Sequence, residues 1–169
     1  MKQLKTFVIA IALVIGASSY ANAQSKVAHI NVQQLVNEMP ETKSAQAEIK
    51  KLEQTYRADL ESSAKELQNL YTKYQNEAAT KTKEENEKRA EDVRQRELNI
   101  RQAEQMAGKE LQEKQVELLQ PIIQKANDAI QKVAKAQGFN YVLDASNGSG
   151  VIFADGKDLM ADVKKELGF

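Results

Sequence analysis

The chain has 169 residues, no cysteine, one histidine and 24 acidic side chains against 24 basic ones. The lack of cysteine excludes thiol catalysis and zinc knuckles, and a net charge of zero gives no reason to expect nucleic acid as a partner. With 28% charged residues, the sequence suits one domain whose globular part is too small to bury a large core.

The first 23 residues have the pattern of a secretory signal peptide. Lys2 and Lys5 precede an apolar run at residues 7–15. Ala21-Asn22-Ala23 then fits a cleavage site of the A-x-A type. The apolar run is shorter than the roughly 20 residues of a bilayer span, which disfavours a retained membrane anchor. No cysteine follows the cleavage site, so lipid attachment there is excluded. We expect the mature chain to begin near Gln24.

Residues 26–31 predict a short strand, and Asn31 is placed to cap a helix of one to two turns over residues 32–39. Pro40 closes this helix and suits the first turn of the next one. The single histidine, His29, lies within the predicted strand. A lone histidine in a strand is far more often structural than catalytic, so we assign it no chemistry.

Residues 41–137 predict two long helices that fold back on each other. Apart from one glycine and one proline, this stretch is dominated by the strong helix formers Ala, Glu, Gln, Lys and Leu. Thr82-Lys83-Glu84-Glu85 is a capping box, which predicts that the second helix starts there. The apolar positions of the two helices match in antiparallel order about a turn near Thr80. The predicted pairs are Tyr71 with Ala90, Leu67 with Val93, Leu60 with Ile100, Tyr56 with Ala103, Leu52 with Ala107, Ile49 with Leu111 and Ala45 with Val116.

Pro121 interrupts a helical pattern that becomes denser and more apolar after it, so we expect a kink or hinge at this position. Gly138 then predicts the end of the helix. Residues 139–144 and 150–154 predict two strands joined through Asn147-Gly148, a strong hairpin signal.

An amphipathic helix over residues 157–167 closes the chain. The predicted strands form a body too small and too exposed to stand alone, so we expect them to close against other subunits. The predicted fold class is therefore mainly α with a small β body (α+β). Its parts are a signal peptide at 1–23, a body at 24–40 and 122–169, and a helical-hairpin arm at 41–121.

The sequence holds no phosphate loop, dinucleotide-binding fingerprint, zinc-protease motif or hydrolase nucleophile elbow. Residues 146–150, Ser-Asn-Gly-Ser-Gly, resemble a phosphate cradle only in glycine content. No helix starts directly after them, so we interpret them as a turn. We predict that the protein is not an enzyme and that it uses no cofactor, metal or ATP.

The order of export signal, strand, long helical hairpin, strand pair and closing helix resembles the Skp/OmpH family of periplasmic chaperones for outer-membrane proteins. The residues that carry the resemblance are 130–136, Tyr141-Val142-Leu143-Asp144-Ala145 and 158–163, with 26–31 and 40–42; the arms match only in helical pattern. The resemblance implies a periplasmic homotrimer whose bodies form a small β-barrel and whose tentacle-like hairpins surround a cavity. Unfolded outer-membrane β-barrel precursors would be held there without ATP.

For assembly, the candidate residues are Val27, Ile30, Tyr141, Val142, Leu143, Val151, Ile152 and Phe153. On the arms, Tyr74 and Met106 are candidate client-binding residues, whereas we interpret Tyr56 and Tyr71 as packing between the two helices. Members of the family are often strongly basic and this chain is not, so we transfer no site for lipopolysaccharide or anionic membranes. The alternative function is an envelope coiled-coil scaffold that binds no unfolded chain. A third idea, an enzyme accessory subunit, has no support in the sequence.

Overall fold

The computed structural model describes residues 25–169, and the signal peptide predicted at residues 1–23 lies outside them. The elements in chain order are β1 (Val27–Ile30), α1 (Val32–Glu38), α2 (Pro40–Glu77), a 3₁₀ turn (Ala78–Thr80), α3 (Lys83–Ala136), β2 (Tyr141–Asp144), β3 (Lys157–Asp158) and α4 (Met160–Leu167). The predicted architecture, mainly helical with a small three-stranded sheet, is confirmed.

The described chain divides into two compact units. The arm unit is Val36–Lys125, and the body unit joins the described residues up to Leu35 with Ala126–Phe169. Among residues 25–169, no helix combines the length and the apolar character needed to cross a membrane.

The sheet of the body unit has the order β2-β1-β3, and both pairings are parallel. Val27 pairs with Tyr141, and Ala28 pairs with Lys157. Side chains alternate across a strand, so Ala28 and Ile30 point to the same face, and both are 1% exposed. This face packs on the core of the body unit. Its other buried apolar residues are Leu35, Ala126, Ala129, Ile130, Val133, Ala134, Leu159 and Val163.

The strand predicted at residues 150–154 is wrong, and so is the hairpin that would join it to β2. These residues form no ladder, and the third strand is β3, which pairs with β1 in parallel. The Asp144 carboxylate accepts a hydrogen bond from the Ser146 amide at 2.9 Å, and the Ser149 hydroxyl donates to the Asp144 carbonyl at 2.5 Å. Such local side-chain bonds offer the backbone an alternative to a ladder. Both sides of β1 are already occupied, so an apolar run alone does not make a further strand.

The turn of the hairpin and the start of α3 agree with the prediction. The Glu85 amide donates to the Thr82 hydroxyl at 3.2 Å, and the Thr82 amide donates to the Glu85 carboxylate at 3.2 Å. This is the predicted capping box. It lowers the pKa of the Glu85 carboxyl, first through the bond from the Thr82 backbone and then through the charge of Lys81. The chain reverses over the 3₁₀ turn that ends at Thr80.

Polar contacts between α2 and α3 join residues further along α3 than the apolar pairing predicts. The Tyr56 hydroxyl donates to the Glu110 carboxylate, whereas the predicted partner, Ala103, lies two helical turns earlier. Helical side chains lean towards their own N-terminus, so long side chains on antiparallel helices meet from backbone positions that are offset along the axis. Leu67 and Val93, a predicted pair, line one groove between the helices.

Val116 does not belong to the contact between the helices, although its predicted partner was Ala45. Val116 is exposed, whereas Ala45 is buried and lines a groove with Leu118. Leu111 and Leu118 are seven residues apart, about two turns, so Leu118 continues the buried side of α3. A step of five residues from Leu111 to Val116 instead rotates the side chain by about 140° away from it.

Candidate functional surfaces

The sheet of the body unit has an uncovered apolar face. Val27, Tyr141 and Leu143 are exposed, and they alternate with residues of the buried face. Val142, of the same strand as Tyr141, is half-buried. Because β2 is an edge strand, it pairs only with β1, and its outer side carries no ladder bonds among the described residues. An exposed edge beside exposed apolar side chains is a surface suited to a further strand.

A second apolar feature of the body unit is the segment at residues 151–154. Ile152 is fully exposed and Phe153 is 82% exposed, while Val151 is half-buried. Ile30, by contrast, is taken up by the core of its own chain at 1% exposure. Of the eight residues considered for assembly, Ile30 and the half-buried Val142 therefore lie on the buried face of the sheet.

A hydrogen-bond cluster fixes the end of β2 to the start of α1. The Asp144 carboxylate accepts from the Ser146 hydroxyl at 2.6 Å and from the Val32 amide at 3.3 Å. Partial burial works against ionisation, yet these bonds and the Ser146 amide hold the pKa of the Asp144 carboxyl below its usual range. The Gln34 amide donates to the Asn31 side chain at 2.8 Å, which confirms the predicted helix cap. The cluster keeps β2 in register beside β1.

Near the turn of the arm unit, Tyr74 is held by polar partners on α3. The Arg89 guanidinium lies over its ring at 4.6 Å, and its hydroxyl donates to the Asp92 carboxylate at 3.0 Å. The bond to Asp92 raises the pKa of the Tyr74 hydroxyl. Tyr74 also lines an open groove of about 500 Å³ together with Tyr71 and Ala90. One face of the Tyr74 ring is thus occupied within the chain.

The other aromatic and sulfur side chains of the arms differ in exposure. Tyr56 is half-buried, and its hydroxyl is bound to Glu110. Tyr71 is 46% exposed, and its hydroxyl accepts a hydrogen bond from the side-chain amide of Gln75 at 2.8 Å. Met106 is 60% exposed on α3. The structure therefore brings Tyr74 and Tyr71 together at one groove, and it places Met106 elsewhere along the arm.

Sequence reasoning missed three exposed apolar side chains of α3. Leu98 was not considered, Ile123 was counted in the apolar pattern that resumes after Pro121, and Val116 was assigned to the contact between the helices; all three are exposed. In the sequence, these residues could be recognised as apolar positions that do not follow the spacing of the buried residues of α3. This recognition is possible only after the buried side of α3 is known.

Pro121 lies inside α3, where it is exposed. Proline has no amide hydrogen, so this residue gives no bond to the carbonyl of Glu117, one turn earlier. The division between the arm unit and the body unit falls at Lys125–Ala126, four residues after Pro121. Within the arm unit, Lys125 donates to the Glu41 carboxylate, and this bond lowers the pKa of Glu41.

The sequence model of the family described as Outer membrane protein (OmpH-like) matches residues 26–167. This chain belongs to the OmpH-like family. The match includes every helix and strand of the described residues.

Relatives of this OmpH-like chain include two bacterial proteins named chaperone protein Skp. That of Pectobacterium atrosepticum is 26% identical over 157 residues, which cover 93% of this chain and 94% of the relative. That of Yersinia enterocolitica is 25% identical over 166 residues, which cover 97% and 99%. The fold is similar to the crystal structure of an OmpH-like protein from Caulobacter crescentus CB15, with a TM-score of 0.77 at 22% identity. That match covers 87% of this chain and 86% of the other.

In the described residues of this chain, no group of three or more His, Cys, Asp or Glu side chains is placed to hold a metal ion.

Proposed function

We propose that this OmpH-like protein is an ATP-independent holdase chaperone of the periplasm, where it binds unfolded outer-membrane β-barrel precursors and prevents their aggregation. The observation that carries the proposal is the similarity to two chaperone proteins Skp along nearly the whole of each chain. The signal-peptide pattern at residues 1–23 supports export, and the sequence has no phosphate loop for a nucleotide.

The active form in this proposal is a homotrimer assembled through the body units. Val27, Tyr141 and Leu143 offer an apolar sheet face, and β2 offers a free edge. Ile152 and Phe153 are adjacent large apolar residues that are almost fully exposed, so they are available for contact with another subunit. Three bodies that share these surfaces would close into a small β-barrel, and three hairpins would then surround a cavity for the client.

Holding a chain without folding it requires many weak contacts that act together. Linked weak contacts gain strength from their high effective concentration, and surfaces that adapt can accept clients of different shape. A flexible junction at Pro121 would let each arm adjust to the client. The candidate client residues are Tyr74, which lines the groove near the turn beside the exposed Tyr71, and Met106, which is 60% exposed further along α3.

The proposal is tested by diluting a urea-unfolded outer-membrane β-barrel protein into buffer with the purified chain and without nucleotide. We expect light scattering by aggregates to fall in proportion to added trimer and to vanish near one trimer per client. A designed coiled coil of similar length serves as the control and should leave the scattering unchanged. If the chain behaves like this control, the alternative function, an envelope scaffold that binds no unfolded chain, is the correct one.

A further inference from the structure

Three large apolar side chains share one exposed side of α3. Leu98 is 42% exposed, Val116 is 57% exposed and Ile123 is 43% exposed. Leu98 and Val116 are eighteen residues apart, which is five turns of about 3.6 residues, and Ile123 follows after about two further turns. They therefore lie on one line parallel to the helix axis. We call this line, with the residues beside it, the α3 stripe.

The α3 stripe points away from α2. The side of α3 that contacts α2 holds Ala107, which is buried, and Leu118, which lines a groove with Ala45. Leu118 lies two residues after Val116, a rotation of about 200° around the helix. The contact with α2 therefore leaves about half of each of these apolar side chains in solvent, where a further partner could cover it.

Glutamine fills most of the positions between the three apolar residues. The residues of the stripe between Leu98 and Ile123 are Gln102, Gln105, Lys109, Gln112, Val116 and Gln120, all of them exposed. Lys109 is the one charge in this set, although the other sides of α3 are rich in glutamate, lysine and arginine. A glutamine amide can donate to carbonyls and accept from amides without carrying charge. The stripe thus carries a single charge, and its glutamines are able to bond both groups of a peptide backbone.

The spacing of the apolar residues argues against a helical partner or a second copy as the occupant. A coiled-coil contact needs two apolar residues in every seven, whereas the stripe supplies three in more than three heptads. The exposed side of α2 provides no matching surface. Apart from Tyr71, no large apolar side chain of α2 is among the exposed ones in the described chain.

We propose that the α3 stripe is the surface on each arm where extended, uncharged segments of an unfolded client dock. The strands of outer-membrane barrels alternate apolar and polar side chains with few charges on the apolar face. Such a strand, not yet paired, has free backbone amides and carbonyls for the glutamines and apolar side chains for Leu98, Val116 and Ile123. This inference rests on the proposed holdase function and names the client surface for it.

The test compares two triple variants by binding of a fluorescently labelled, urea-unfolded outer-membrane β-barrel protein. The stripe variant is Leu98→Gln, Val116→Gln and Ile123→Gln. The matched control carries Ala47→Gln, Ala58→Gln and Ser62→Gln at exposed positions of α2. We expect the stripe variant to weaken client affinity by about tenfold or more, because three apolar contacts are lost at once, and the control to stay within about twofold.

Three outcomes would overturn the inference, and each has a different meaning. If the stripe variant binds the client as tightly as the wild type, the docking surface lies elsewhere while the holdase function stands. If the stripe variant instead changes the mass of the assembly in light scattering, the stripe is a contact between copies. If the wild-type chain itself binds no unfolded client, the proposed function fails, and the inference fails with it.

A photo-crosslinking residue provides a second, independent measurement. We expect p-benzoylphenylalanine at Val116 to crosslink to the unfolded client much more strongly than the same residue at Ala58. Equal crosslinking at the two positions would contradict a preferred side of the arm. Circular dichroism should show the same helix content for all variants, since the substituted side chains are exposed.

Discussion

The Arg89 guanidinium lies over the ring of Tyr74, 4.6 Å from the ring centroid, and this contact joins α3 to α2 near the turn of the hairpin. The same guanidinium forms an ion pair of 2.7 Å with Glu77 on α2. Arg89 is mostly buried, with its side chain 19% exposed, and its Nη1 atom has no hydrogen-bond partner among the described residues. The planar guanidinium thus connects the two helices through stacking on Tyr74 and an ion pair with Glu77, although one of its N–H donor groups stays without a hydrogen bond.

Removal of this contact should loosen the end of the hairpin. We expect Arg89→Ala to lower the free energy of unfolding by about 1–2 kcal/mol, because it removes the stacking on Tyr74 and leaves Glu77 without its partner. Urea unfolding followed by circular dichroism gives this value. Arg94→Ala is the matched control. Arg94 is exposed, and among residues 25–169 its ion pair is with Glu91, so its loss should change stability by less than about 0.5 kcal/mol. Equal effects of the two substitutions would contradict the role of Arg89.

Asp144 should make part of the stability of the body unit depend on pH. Its carboxyl has a pKa below the usual 3.8 in the folded chain, because of its bonds to Ser146 and Val32. A lowered folded pKa gives stability that is present above pH 3.8 and is lost as pH falls through the folded value. We therefore expect Asp144→Asn to be less stable than the wild type at pH 7, and we expect this difference to be smaller at pH 3. The melting temperatures of both proteins at the two pH values measure this, and a difference that grows on acidification would contradict it.

Pro121 should act as a flexible junction. We expect Pro121→Ala to restore the helical bond to Glu117, to stabilise α3 by up to about 3 kcal/mol and to narrow the distribution of distances between a spin label in α4 and one at the hairpin turn. The chain has no native cysteine, so labels can be attached cleanly at introduced ones. Gly108→Ala is the control: Gly108 has open space for a methyl group, and this change should stabilise α3 by about 1 kcal/mol without narrowing the distances. An unchanged distance distribution in Pro121→Ala would argue against a junction there.

The apolar segment at Ile152 and Phe153 should carry the assembly. We expect Ile152→Asp with Phe153→Asp to convert a trimer into monomers, because buried charges would replace apolar contacts between subunits. The mass from analytical ultracentrifugation at micromolar concentration measures this. Asp155→Ala, at an exposed position of the same segment, should leave the mass unchanged. A trimer that survives both aspartates would show that the segment lies outside the contact.

The parts of the fold that depend on local chemistry could be predicted from the sequence. The capping box of Thr82 and Glu85 needs only residues three apart, and its two hydrogen bonds form as predicted. The helix cap of Asn31 is equally local, and it too is present. Residues of high helix propensity dominate both long stretches, so the existence of α2 and α3 could also be predicted.

The predictions that were wrong depend on contacts with residues that are distant in the sequence. An apolar run such as residues 151–154 indicates a strand only if a neighbouring strand has a free side, and β1 has none left. Val116 is one of the apolar residues of α3, but it lies on a different side of the helix from the residues that contact α2. The exposure of Leu98, on which the α3 stripe depends, could be recognised only once that side was known.

The proposed function requires that the chain capture an unfolded outer-membrane protein as a trimer, without nucleotide. This is measured by size-exclusion chromatography with multi-angle light scattering, on a urea-unfolded barrel protein diluted into an excess of the purified chain. We expect a single soluble complex whose mass equals three chains and one client. A client that is lost as aggregate, beside chains that elute free of it, would contradict the proposed function.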